Sequence, residues 1–239
     1  MELRERIIVA LDTATKEEAL RLVDLLEEAQ TFKVGMELFT AEGPSLLEAL
    51  VGRKKRPFLD LKYHDIPNTV VGAVRAAVRQ GTAMLTLHAS GGLEMMRRAR
   101  EASIEEAEKQ TRPRPLLLGV TVLTSLEDAD LEEMGFSTPA RDQVLRLASL
   151  AKKAGLDGVV SSPQEIEVLK RELGKDFLIV TPGIRPAGAQ SHDQKRIMTP
   201  AEALRLGADY LVIGRPVTAS PSPREAFLRI LEELNRAFS

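Results

Sequence analysis

The sequence predicts an α/β chain folded as a (β/α)8 TIM barrel, and three observations carry that prediction. First, a helix ending in glycine and followed by an apolar strand recurs along the chain. It occurs as 76–81 before 83–88, as 150–155 before 157–161, and as 203–207 before 209–214. Glycine suits the left-handed position that closes a helix, and strands apolar on both faces belong to parallel sheets covered by helices. Second, Thr15-Lys16-Glu17-Glu18, Ser162-Pro163-Gln164-Glu165, Thr199-Pro200-Ala201-Glu202 and Ser222-Pro223-Arg224-Glu225 all read as capping boxes in register with those strands. Third, eight strand candidates fit in 239 residues, the size of such a barrel.

In chain order, the first strand is the apolar run Ile7–Leu11, which ends at Asp12 and leads to the helix capped at Thr15. The second is Thr31–Gly35, with Lys33 inside it. A basic run, Arg53–Arg56, reads as a solvated helix end or loop before the third strand, Pro57–Leu61. Ala83–His88 and Leu116–Val122 follow as strands four and five. The acidic stretch Leu126–Glu133 reads as a solvated surface helix, and Met95 and Met96 as core filler. Asp157–Ser161, Phe177–Thr181 and Asp209–Ile213 complete the set. No linker interrupts them, so one domain over residues 1–239 is expected. An open doubly wound sheet is the alternative. It would advertise a glycine-rich turn after the first strand, where this chain has Leu11-Asp12-Thr13-Ala14-Thr15.

Composition narrows the function. A net charge of −2 offers no basic field for nucleic acid or an anionic membrane. Cysteine is absent, which removes disulfides, thiolate nucleophiles and cysteine-ligated metals. The apolar run near the start is too short for a signal peptide, and no run approaches a membrane span. A cytoplasmic protein is expected.

The polar residues fall where a TIM barrel keeps its chemistry, at the C-terminal ends of the strands. Asp12 follows strand one, Asp60 and Lys62 end strand three, His88 ends strand four, and Thr121 and Thr124 close strand five. Ser161 ends strand six, Arg185 follows strand seven, and Gly214 and Arg215 follow strand eight. Strand periodicity puts Asp60 and Lys62 on one side. Lys33, between Phe32 and Val34, is costly to bury unless Asp12, Asp60 or Asp65 supplies a carboxylate; otherwise it snorkels at a strand edge. The loops after strands seven and eight are the usual phosphate site of the fold, with Gln194 and Arg215 facing the phosphate and 185–196 reading as a lid or as an ordinary exposed connection. His64, His88 and His192 show no metal-ligand spacing and read as hydrogen bonders or surface residues.

The run Phe58–Thr69 resembles the signature of the orotidine 5′-phosphate decarboxylase family. Ala10–Asp12, Phe32–Glu37, Val120–Ser125, Val180–Arg185, Asp193-Gln194 and Ile213–Arg215 match its bacterial form in order. The resemblance implies cofactor-independent conversion of orotidine 5′-monophosphate to UMP, with no metal. It implies that Asp12 and Lys33 hold ribose hydroxyls, and that Asp60, Lys62, Asp65 and Lys33 form a catalytic charge array. Lys62 would stabilise and protonate the C6 carbanion. Thr69 would contact the substrate and Thr124 the pyrimidine, while Arg185, Gln194, Gly214 and Arg215 would bind phosphate. It also implies a homodimer in which Asp65 reaches the neighbouring site. Two rivals are a Mg²⁺-dependent sugar-phosphate decarboxylase or aldolase of the same barrel superfamily, and a non-catalytic barrel that binds phospholigands. The first places a carboxylate where this chain has Lys33; the second needs no Lys62.

Overall fold

The computed structural model describes residues 2–186 and 198–238. Its strands are β1 (Ile7–Leu11), β2 (Thr31–Val34), β3 (Arg56–Tyr63), β4 (Met84–His88), β5 (Leu116–Val120), β6 (Gly158–Val160), β7 (Leu178–Thr181) and β8 (Tyr210–Ile213). They form a closed barrel in sequence order. Every neighbouring pair is parallel, and β1 closes on β8 through Ile7↔Leu211, Ile8↔Val212 and Val9↔Ile213. The strand–helix repeat read from the sequence is therefore a (β/α)8 TIM barrel. The helices among the described residues are α1 (Lys16–Leu25), α2 (Met36–Glu42), α3 (Ser45–Gly52), α4 (Pro67–Arg79), α5 (Gly92–Lys109), α6 (Asp128–Glu133), α7 (Ala140–Lys153), α8 (Ile166–Leu173), α9 (Pro200–Leu206), α10 (Arg215–Thr218) and α11 (Pro223–Phe238).

Alternation along the strands divides the core in two. Ile7, Val9, Leu11, Phe32, Leu59 and Leu85 pack outward, against helix residues such as Leu46 and Leu50 of α3 and Val70 and Val74 of α4. Ile8, Ala10, Phe58, Met84, Leu118, Val180, Tyr210 and Val212 fill the barrel interior. One step further along β3 and β4, the inward positions are Asp60 and Thr86. The apolar plug thus gives way to polar groups at the C-terminal end.

The helix starts vary. Thr199 and Glu202 close a full capping box on α9, whereas at α1 the Thr15 hydroxyl accepts from the Glu18 N–H. The box at Ser162 opens a short 3-10 turn, Pro163–Glu165, ahead of α8. β2 stops at Val34 because Gly35 starts α2. β3 runs further than the sequence suggests, and its pairing with β4 jumps from Leu59↔Leu85 to Tyr63↔Leu87.

Candidate functional site

Four charged side chains from β2, β3 and the end of β1 meet at the C-terminal mouth. Lys33 Nζ lies 3.2 Å from Asp12 Oδ1 and 3.9 Å from Asp60 Oδ2. Lys62 Nζ lies 3.0 Å from Asp60 Oδ1. The Lys33 and Asp60 side chains are only 13% and 14% exposed, so the alternative of a snorkelling lysine at an edge does not describe Lys33. Asp60 divides its two oxygens between the two ammonium groups, and in this partly dried setting each pair is stronger than it would be on the surface.

Two glycines make room for the array. A Cβ on Gly35 would sit 3.1 Å from Lys33 Nζ, and one on Gly214 would sit 3.1 Å from Asp12 Oδ2. Both are tighter than an ordinary van der Waals contact, so any side chain there would push on the charges.

Two cavities share Lys33, Asp60 and Lys62 as a common wall. One, of about 370 Å³, is also lined by Asp12, Thr13 and Glu37. The other, of about 180 Å³, adds Thr124 to apolar walls that include Phe58, Val122, Pro182 and Val212. A chamber lined by charged groups beside an apolar slot suits a ligand with a polar part and an apolar part. A wider hollow of about 670 Å³ lies against α5, but its arginines are committed: Arg112 to the carbonyls of Val78 and Arg79, and Arg114 to Asp157.

Lys62 is held unusually. Its φ is +52°, a left-handed conformation that costs a residue with a Cβ roughly 1–2 kcal/mol. Simple strand alternation therefore does not set its direction; the jump in the β3–β4 pairing does. Its backbone N–H donates to Thr86 Oγ1 at 2.9 Å, and that hydroxyl donates to Asp60 Oδ1 at 3.0 Å. The sequence reading passed over Thr86. The available signal was a hydroxyl inside the otherwise apolar run Met84–Leu87.

The remaining expected residues are placed unevenly. Arg185 is buried beyond β7, and Arg215 opens α10 beyond β8, the strand that pairs with β7. Asp65 does not join the array within this chain. It is exposed and accepts from the Ile66 N–H at 2.6 Å. Thr69 is also exposed, in the first turn of α4. Gln194 and His192 lie outside the described residues, as does most of the expected lid. His64 and His88 sit beside the array with ring centroids 5.4 Å apart. Burial, then the nearby His64 and Lys62, hold His88 below its usual pKa, and burial raises Tyr63.

The family model described as "Orotidine 5'-phosphate decarboxylase / HUMPS family" matches residues 5–230. An orotidine 5'-phosphate decarboxylase of Actinobacillus succinogenes is 53% identical over 226 residues, covering 94% of this chain and 96% of the relative. One from Moorella thermoacetica is 52% identical over 236 residues, covering 98% and 94%. The crystal structure of the Lactobacillus acidophilus enzyme superposes with a TM-score of 0.85 at 38% identity, over 97% of this chain and 99% of that one. A match that runs nearly end to end, in sequence and in fold alike, places this chain in the orotidine 5′-phosphate decarboxylase / HUMPS family.

Proposed function

We propose that this chain decarboxylates orotidine 5′-monophosphate to UMP, a step of pyrimidine biosynthesis. The observation that carries the reading is the Lys62–Asp60–Lys33–Asp12 array on the wall of a cavity, in a chain of this family. In the reaction the bond from C6 to the carboxylate carbon breaks and its electron pair stays on C6. That vinylic carbanion has no neighbouring electron sink, so the protein must supply the stabilisation, up to ~20 kcal/mol. The Lys62 ammonium stabilises the developing charge and then gives C6 its proton, while Asp60, 3.0 Å away, keeps it aimed.

The other proposed roles come from the family resemblance, and position supports those of Asp12, Lys33 and Thr124. Asp12 and Lys33, in the polar chamber, hold the ribose hydroxyls. Thr124, in the apolar slot, meets the pyrimidine. Arg185, Gly214 and Arg215 bind the phosphate, and Gln194 is proposed to join them. Remote phosphate binding helps only insofar as it organises the reacting centre. The Mg²⁺-dependent alternative is disfavoured because the Lys33 ammonium stands between Asp12 and Asp60, where it would repel a cation.

We also propose one domain over 1–239, a cytoplasmic location and a homodimer. Among the described residues no helix is long and apolar enough to cross a membrane. Asp65 and Thr69 are exposed beside Ile66, which is 67% exposed, and the apolar Leu123, Met134 and Phe136 are exposed as well. A second copy covering this face would bring Asp65 into its partner's array. Mixing Lys62→Ala with Asp65→Ala protein then restores part of the activity; no recovery after confirmed subunit exchange rejects the shared site.

The deciding experiment follows the ultraviolet absorbance of orotidine 5′-monophosphate with pure protein and excess EDTA. Steady loss of the orotate band with UMP as product is expected. An unchanged band in EDTA, with turnover of a sugar phosphate on adding Mg²⁺, would move the chain to the metal-dependent branch.

A further inference from the structure

We infer that Thr86 is a positioning residue for this decarboxylation, its hydroxyl tying the Asp60 carboxylate to the Lys62 backbone so that the two charges keep their spacing. The inference rests on the function proposed above and adds a residue to it. Thr86 is fully buried in β4, one inward step beyond Met84. It lines neither cavity that holds the array, so it acts through its neighbours and not on the ligand.

The need for a hydroxyl arises in the strand pairing. Between Leu59↔Leu85 and Tyr63↔Leu87, three residues of β3 face Thr86 alone. Lys62, left-handed in this jump, directs its N–H at a side chain instead of a ladder carbonyl. A carboxylate can only accept, so the Thr86 proton points at Asp60 Oδ1, which leaves an oxygen lone pair for the Lys62 N–H. Asp60 Oδ1 thus takes Thr86 and Lys62 Nζ together, both at 3.0 Å, while Oδ2 faces Lys33. Without the hydroxyl, the Lys62 N–H is stranded and Asp60 is free to turn toward Lys33. Valine would pack there equally well, and a buried hydroxyl is costly unless bonded, so packing alone does not account for a threonine.

The test compares Thr86→Val, which keeps the shape, with Thr86→Ser, which keeps the hydroxyl. The readouts are kcat and KM for orotidine 5′-monophosphate, the affinity for UMP, and the melting temperature. Thr86→Val should lower kcat on the order of 100-fold, the scale of a misplaced reacting group, with KM and UMP affinity essentially unchanged. Thr86→Ser should restore most of kcat. The inference is overturned if Thr86→Val keeps wild-type kcat, if Thr86→Ser is as slow as Thr86→Val, or if KM and UMP affinity collapse along with kcat. Should Thr86→Val not fold, Thr86→Ser against Thr86→Ala makes the same comparison. Failure of the underlying function looks different: the wild-type protein itself would leave the orotate band unchanged, and both readings would fall.

Discussion

Lys170 and Lys62 are both paired with an aspartate at the barrel, at opposite ends, and they are held differently. Lys170 Nζ donates to Asp209 Oδ2 at 2.7 Å and to the carbonyls of Lys175 and Phe177 at 2.9 Å, which occupies its three protons. Lys62 Nζ has a single hydrogen-bond partner among the described residues, Asp60 Oδ1. The aspartates differ likewise. Asp157 takes Arg114 through both oxygens and also the Leu117 N–H, and Asp209 takes the Ile179 N–H beside Lys170. Each of these two acids stands just before a strand and bonds to the strand before it, so the N-terminal end is stitched by charges tied to the backbone. At the C-terminal end Asp60 is shared by two lysines, and Lys62 keeps protons for something else.

Removing one charge at each end should therefore have opposite effects. The largest is at the mouth: Lys62→Ala should lower kcat/KM by about 10⁴-fold or more, since both charge stabilisation and proton donation go. Its melting temperature should hold. Turnover that survived this change would erase the distinction. Next is Asp157→Ala, which strands the Arg114 guanidinium and the Leu117 N–H. A loss of about 2–3 kcal/mol in urea unfolding is expected, less than for a fully buried pair because Arg114 is partly exposed. kcat per folded molecule should not change, and a fall in kcat at unchanged stability would break the comparison.

The smallest effect concerns His88, at the mouth but titrating as part of the fold. Its folded pKa lies below the ordinary 6.5, with burial as the main cause, so the unfolded chain takes up the proton first as pH falls. Stability should decline as pH drops through about 6.5 and on to the lower folded value. His88→Gln should flatten that slope in urea midpoints measured between pH 7 and 5. Carboxylates held low by partners, such as Asp24 with Arg53, contribute only in the more acidic range below.

The barrel was legible because its signals are repeated and local. Each strand is a short apolar run, and each lies within two residues of its expected bounds at either end. The ends drift where a neighbour decides them: Gly35 turns β2 into α2, and Thr86 carries β3 past its jump to Tyr63. At the site, Lys33 stood out as a charge in an apolar strand, and Asp60 and Lys62 were named together from a two-residue spacing, although it is the left-handed backbone at Lys62 and the jump in pairing that bring them together. Thr86 did not, because a threonine in a strand is indistinguishable from β-branched filler until its partner across the sheet is known. Asp65 reads as part of the same charged cluster in sequence, yet the turn after Tyr63 takes it out to the surface.

The left-handed backbone at Lys62 bears on how this protein would drift under laboratory selection. Glycine and asparagine tolerate that conformation better than lysine does. A library sorted only for folding or expression would therefore be free to trade Lys62 for either, and every such winner would have lost the ammonium. At this one position robustness and turnover pull in opposite directions, so a stability screen has to be run with a chemical readout beside it.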